Sequence, residues 1–410
     1  MRYEQRLIWV LGITFGFLFL DRNAASFVMP FIVTDLGFNN KQVGLIASAL
    51  SFTWAISAFL GGALSDRTGR RKPILLASVV AFSLCSFLSG LAASFAALFA
   101  ARLLMGLAEG PFLPVCQSLV ATESDPSRRG HNMGVMQNFG SNILGTFLAS
   151  LALIPIAAHW SWRAAFFLAG VPGLVMALLI ARYVREPQRP PPSAAAGRAG
   201  ADISYLAMLR YRNMVLCVLI SIVMVAWMVL GWAFLPLFYV KVRHISSGAM
   251  SVLISLLGLS AAFFSFIVPR LSDRFGRRPV VVGFNLLGLL VPLAALYCDS
   301  SLYLLGALVF VGWSASGTFP LFMGTIPSET IPARYVATCL GLTVGIGEIL
   351  GGVSAPAVAG WAADRYGLTA PMFMQAACAV AGALLALALT ETAPRRVAAL
   401  AAAESPRLAT

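Results

Sequence analysis

Ser65-Asp66-Arg67-Thr68-Gly69-Arg70-Arg71 returns 207 positions later as Ser272-Asp273-Arg274-Phe275-Gly276-Arg277-Arg278. Each copy is a short basic stretch between two long apolar runs, so each reads as a loop joining two helices. A match of this kind at half the length of a 410-residue chain points to a duplication. Other positions agree with it. Pro30 and Pro236, Gly106 and Gly312, Pro114 and Pro320, Glu123 and Glu329, Pro126 and Pro332, and Arg128 and Arg334 all stand 206 apart. So do Asn142-Ile143-Leu144-Gly145 and Glu348-Ile349-Leu350-Gly351.

Composition says what is duplicated. The chain is 59% hydrophobic and 11% charged, with a mean hydropathy of +0.84. A soluble domain carries about a quarter charged residues, so the surface of this chain must face lipid. A membrane helix takes about 20 mostly apolar residues. The apolar runs predict twelve, near 7–33, 43–64, 74–93, 96–119, 132–154, 162–184, 213–240, 247–269, 279–298, 301–325, 335–361 and 369–390. The expected fold is an all-α membrane protein with two pseudo-symmetric six-helix bundles, residues 1–184 and 213–410. Residues 185–212, with Pro187, Pro190–Pro192 and several arginines, read as a flexible linker.

The net charge of +13 would suggest nucleic-acid binding in a soluble protein. Here Arg67, Arg70, Arg71, Lys72, Arg128, Arg129, Arg270, Arg274, Arg277, Arg278, Arg395 and Arg396 gather in loops on one side. That asymmetry predicts both termini in the cytoplasm of a multi-pass plasma-membrane protein, a bacterial inner membrane being expected, and no nucleic-acid partner. A monomer is expected. The six cysteines lack paired spacing and read as small buried hydrophobes. His131, His159 and His244 fall in loops without partner ligands, so neither a metal site nor a catalytic triad is expected. The first apolar run is too long for a cleavable signal.

Gly62-x-x-x-Asp66-Arg67-x-Gly69-Arg70-Arg71 resembles the signature loop of the major facilitator superfamily. Gly69 would permit the turn, and Asp66, Arg67 and Arg70, with Asp273, Arg274 and Arg277 in the copy, would pair with helix ends and gate the cycle. A merely topogenic basic loop would not need the duplicate. Asp21-Arg22, Arg102-x6-Glu109-Gly110 with Phe112 and Pro114, and Trp162-Arg163-x-x-Phe166-Phe167 are similar to the anion:cation symporter branch, which includes sialin and bacterial sugar-acid carriers. The similarity covers the first 184 residues. It departs at Phe19, where many members carry tyrosine, at Asn23-Ala24, and at Glu348, where a neutral residue is commoner. The resemblance implies a transporter, not an enzyme, without a cofactor other than the proton as coupling ion.

The intramembrane charges stand without any resemblance. A charge at the middle of a membrane helix costs at least about 2.5 kcal/mol and usually serves function. Asp21 and Arg22 lie mid-helix, and Arg102 and Glu109, seven apart, share a face about 10 Å long. Displaced by 206 they become Trp227, Met228, Leu308 and Ala315. The repeat survives while its charges do not, which packing alone does not explain. The first half is therefore the expected charge-handling half, and Trp227, Trp232, Tyr239 and Trp313 offer aromatic walls for substrate. A buried structural ion network is the competing reading.

Glu348, whose repeat mate is Asn142, reads equally as a third protonatable group or as a neutral glutamic acid. Gln137 is a substrate hydrogen-bonder by resemblance, or helix-helix glue together with Asn138. Gly140, Gly145, Gly347, Gly351 and Gly352 read as close-packing positions. The function expected is proton-coupled uptake of a small organic anion such as a sugar acid or aromatic acid. Arg22 would take the carboxylate as a planar fork. Asp21 and Glu109 would carry protons, and Arg102 would reset Glu109. A drug/proton antiporter is the first alternative, opposed by the embedded Arg22. An organophosphate antiporter would want an arginine in each half. A non-transporting sensor would want an appended signalling domain.

Overall fold

A computed structural model describes residues 3–124, 129–186, 210–331, 336–393 and 396. The residues 187–209 that fill most of the expected linker lie outside these, as do Arg128, Arg334 and Arg395. Among the described residues, twelve helices are long and apolar enough to cross a membrane. They are α1 Tyr3–Leu36, α2 Asn40–Ser65, α3 Arg71–Gly90, α4 Phe95–Val120, α5 Asn132–His159, α6 Trp162–Tyr183, α7 Arg212–Lys241, α8 Ser247–Phe275, α9 Arg277–Tyr297, α10 Leu302–Thr330, α11 Leu340–Tyr366 and α12 Thr369–Leu387. No strand occurs among the described residues. Exposed apolar side chains such as Phe59, Leu178 and Tyr303 suit a surface in lipid.

Several expected continuous helices are interrupted. α4 stops at Glu109 and restarts at Phe112, because Pro111 has no N–H to continue the ladder. α9 breaks between Leu287 and Leu290, and α10 tightens to a 3₁₀ turn over Trp313–Thr318. α5 widens to a π-helix over Val135–Leu148, and α11 does so over Gly347–Val353. These last two are pseudo-symmetry mates, and π segments are frequent at functional sites.

The described chain divides into two compact units. Unit one holds α1–α6 together with Val229–Ala262 and Val353–Pro371. One close crossing sets α1 against α5. A Cβ on Gly140 would strike the Gly12 carbonyl, and one on Gly145 would strike Phe19. Unit two holds the start of α7 up to Met228, Phe263–Gly352, and the chain from Met372. There α11 crosses α7 in the same manner, with Gly347 against Ser221 and Gly351 against the Ile222 carbonyl. The expected packing role of these glycines is what the structure displays.

Both copies of the basic loop turn on a glycine with positive φ. Gly69 has φ 65° and Gly276 has φ 105°, values that L side chains seldom adopt. Each copy also caps the next helix with a distant carboxylate. Glu186 accepts the N–H groups of Arg71 and Lys72 at 2.6 and 2.9 Å, and Glu391 accepts those of Arg277 and Arg278 at 2.7 and 3.3 Å. A carboxylate at a helix N-terminus satisfies donors that have no intrahelical partner.

Candidate functional site

The charged cluster of unit one is built from four helices. Asp21 on α1 is fully buried, as are Arg102 and Glu109 on α4. Ser86 on α3 donates to Asp21 Oδ1 at 2.5 Å, and its oxygen is also 2.9 Å from the Phe166 carbonyl of α6. The other Asp21 oxygen has no hydrogen-bond partner. Arg102 Nη2 donates to Ser89 Oγ at 2.6 Å, and its guanidinium lies 5.0 Å over the Phe166 ring. Its Nε and Nη1 are unpartnered, and both Glu109 oxygens lack a hydrogen bond. Buried polar atoms without a partner are costly.

Arg22 is the accessible member, with its side chain 18% exposed. Its Nη1 is 4.0 Å from Glu109 Oε2, and its guanidinium lies 4.9 Å over the Trp54 ring and 5.8 Å from the Phe19 ring. The partner of Glu109 is thus Arg22 on another helix, while its sequence neighbour Arg102 bonds Ser89. Gln137 is not brought to this cluster. Met136 packs on Gly12 and Gly145 on Phe19, so Gln137 lies near the Gly12 level of α1, about 15 Å along the axis from Arg22.

The aromatic residues fall in different places. Trp227 and Trp313 are fully buried in unit two, with ring centroids 4.7 Å apart, and Trp227 Nε1 donates to the Gly288 carbonyl at 3.1 Å. Neither ring faces an opening in this conformer. The Trp227 indole occupies the repeat position of Asp21. Trp232 packs edge-on against Phe27 in unit one at 6.2 Å, and Tyr239 is buried there. Glu348 is half-buried in the π segment of α11, with Oε2 beside Gly352.

In the basic loops, Gly62 lies near Pro114, Arg67 and Arg70 are exposed, and Asp66 sits in helical backbone at the end of α2. In the second copy Arg277 is buried and pairs with Asp273 at 2.5 Å and Glu329 at 2.8 Å, while Arg274 lies over the Phe275 ring. Sequence reasoning missed Trp54, Ser86, Ser89 and the two capping carboxylates, Glu186 and Glu391. The caps stand 205 apart, so the repeat carried a signal for them.

The profile of the Major Facilitator Superfamily matches residues 11–272 and again 216–409. The chain belongs to this superfamily. It is a transporter, not an enzyme, and a multi-pass membrane protein. Among relatives of this facilitator, the probable 4-methylmuconolactone transporter of Cupriavidus pinatubonensis is 27% identical over 354 residues, 85% of this chain and 81% of that one. The 3-(3-hydroxy-phenyl)propionate transporter of Escherichia coli is 29% identical over 373 residues, 87% of each chain. A solved nucleoside transporter superposes with a TM-score of 0.77 at 15% identity, covering 93% of this chain and 98% of that one, and shares the fold alone.

Proposed function

We propose that this facilitator imports a small organic anion together with protons by alternating access, and that it lies in a bacterial inner membrane with both termini in the cytoplasm. The observation that carries the reading is the dry cluster of Asp21, Arg102 and Glu109 with its one accessible cation, Arg22. An embedded, accessible guanidinium attracts an anion and repels a cationic drug, which favours symport over the antiporter reading. The relatives named for small organic acids support the same class.

The coupling step follows from the pairings. A substrate carboxylate that takes the Arg22 fork draws it away from Glu109. A carboxylate deprived of its cation in a dry site takes up a proton. Substrate and proton then load together. Asp21 is the second carrier. The single Ser86 proton cannot serve both Asp21 and the Phe166 carbonyl. A protonated Asp21 resolves the conflict, donating to Ser86 while Ser86 donates to the carbonyl. Arg102, fully buried on α4, is the cation that would reset the cluster once the substrate has left.

Purified protein in liposomes loaded with a pH-sensitive dye tests the proposal. Addition of organic acids of this class should acidify the lumen only when the carrier is present. Substrate entry that alkalinises the lumen would mean antiport, and entry without proton movement would end the coupling.

A further inference from the structure

The guanidinium of Arg22 is not bare. It is flanked by Trp54 at 4.9 Å and Phe19 at 5.8 Å, and Phe19 meets Phe15 edge-on at 4.8 Å. Phe15, Phe19 and Arg22 recur at positions four and three apart, so they share one stripe of α1. Phe19, Arg22 and Trp54 are all half-buried, so none is sealed inside unit one.

The neighbouring hydrogen-bonding side chains are already engaged. Asn23 donates to the Gly145 carbonyl at 3.0 Å, Thr53 to the Ala49 carbonyl at 3.1 Å, and Ser57 to the Leu107 carbonyl at 2.5 Å. Ser86 serves Asp21 and Phe166. Among these described neighbours, the fork is flanked by rings while the hydroxyls and the amide are engaged. A polyhydroxylated acid bound here would leave several hydroxyls unpaired. Each costs roughly tenfold in affinity. A flat unsaturated acid instead stacks on the same rings.

We propose that Phe19, Arg22 and Trp54 form a subsite for an aryl carboxylate, and that Phe19 and Trp54 set specificity against polyhydroxylated acids. This rests on the reading of Arg22 as the anion ligand and narrows its substrate class. Arg22 grips the carboxylate, and the two rings hold the plane of the acid next to the guanidinium.

The test is ligand-induced thermal stabilisation of the purified protein, with benzoate, 3-hydroxybenzoate and cinnamate set against gluconate and galactonate. Stabilisation reports binding without requiring transport. The wild type should bind the best aryl acid at least about a hundredfold more tightly than either sugar acid. Phe19→Tyr with Trp54→Tyr, which adds two hydroxyls to the wall, should narrow that ratio by at least about tenfold. Trp54→Ala should weaken aryl-acid binding by a larger factor than gluconate binding. The melting curve without ligand shows whether each variant is folded, and Phe19→Tyr alone is the conservative fallback. Tighter binding of a sugar acid by the wild type, or a ratio indifferent to both substitutions, overturns the aryl subsite and leaves the carrier an organic-anion symporter. Failure of every acid to bind overturns the anion reading itself, and the subsite with it.

Discussion

The Glu109 carboxylate faces the Arg22 guanidinium at 4.0 Å, across the gap between α4 and α1. One side chain is partly exposed and the other fully buried, and in the mechanism proposed above the pair links substrate arrival to a proton site. Glu109→Gln mimics the protonated acid and cannot lose its proton. Exchange of labelled substrate across the membrane should persist, while accumulation driven by a proton gradient should vanish. Counterflow and gradient-driven uptake in the same liposomes separate the two, and retained accumulation would remove Glu109 from the coupling.

The α1–α5 crossing makes a prediction about stability. Gly140→Ala places a methyl group against the Gly12 carbonyl, whereas a methyl at Gly134 meets nothing within 4 Å. Overpacking of this kind costs roughly 1–3 kcal/mol. The Gly140 variant should melt several degrees lower in detergent and the Gly134 variant should match the wild type. Equal melting of the two would mean that the crossing relaxes freely.

Glu348 occupies a π segment in α11 whose pseudo-symmetry mate in α5 is also π-helical and carries Asn142. That shared irregularity favours a functional role over a neutral packing role. Glu348→Gln should alter the pH dependence of transport, measured as initial rate between pH 5 and 8. Weakened binding with an unchanged pH profile would instead make it a contact for a cationic part of the substrate. A silent substitution in both respects would leave it structural.

Much of the fold was legible because a loop motif and a helix register repeat together. Asp66 to Arg71 could be aligned with Asp273 to Arg278 by eye, and Pro30 with Pro236. The site was legible in part. The intramembrane charges stood out from their cost in lipid, but which charge meets which did not. Spacing places Arg102 and Glu109 on one helix face, and both are indeed buried, yet the Glu109 partner comes from α1 across a contact that no local period encodes. Trp54 carries no signal of its own in the sequence, and only the structure sets Arg22 over its ring. Gln137 failed to reach Arg22 because the α1–α5 crossing sets it at the level of Gly12.

Asp364 carries the last prediction. Both of its carboxylate oxygens accept backbone N–H groups at the start of α2, from Asn40 at 2.8 Å and Lys41 at 2.9 Å. Asn39 takes the next donor through a capping box with Gln42, so the first turn of α2 is fully satisfied only while α11 is at hand. The same two helices touch backbone to backbone further along. Gly44 meets the Pro356 carbonyl, Gly360 meets Asn40, and Ser48 donates to the Val353 carbonyl at 2.6 Å. Any step that opens this end must part α2 from α11 and strip two donors from Asp364. The cap is exposed, so its contribution is about 1 kcal/mol, or roughly fivefold in the closed-to-open ratio. Spin labels at Lys41 and Tyr366, with the six native cysteines replaced, would report the separation. Asp364→Ala should move population from the short to the long distance by about that factor, and substrate should restore the short distance if the loaded carrier closes here. Distance distributions identical in the two proteins would show that the cap merely satisfies a helix end and does not hold the gate.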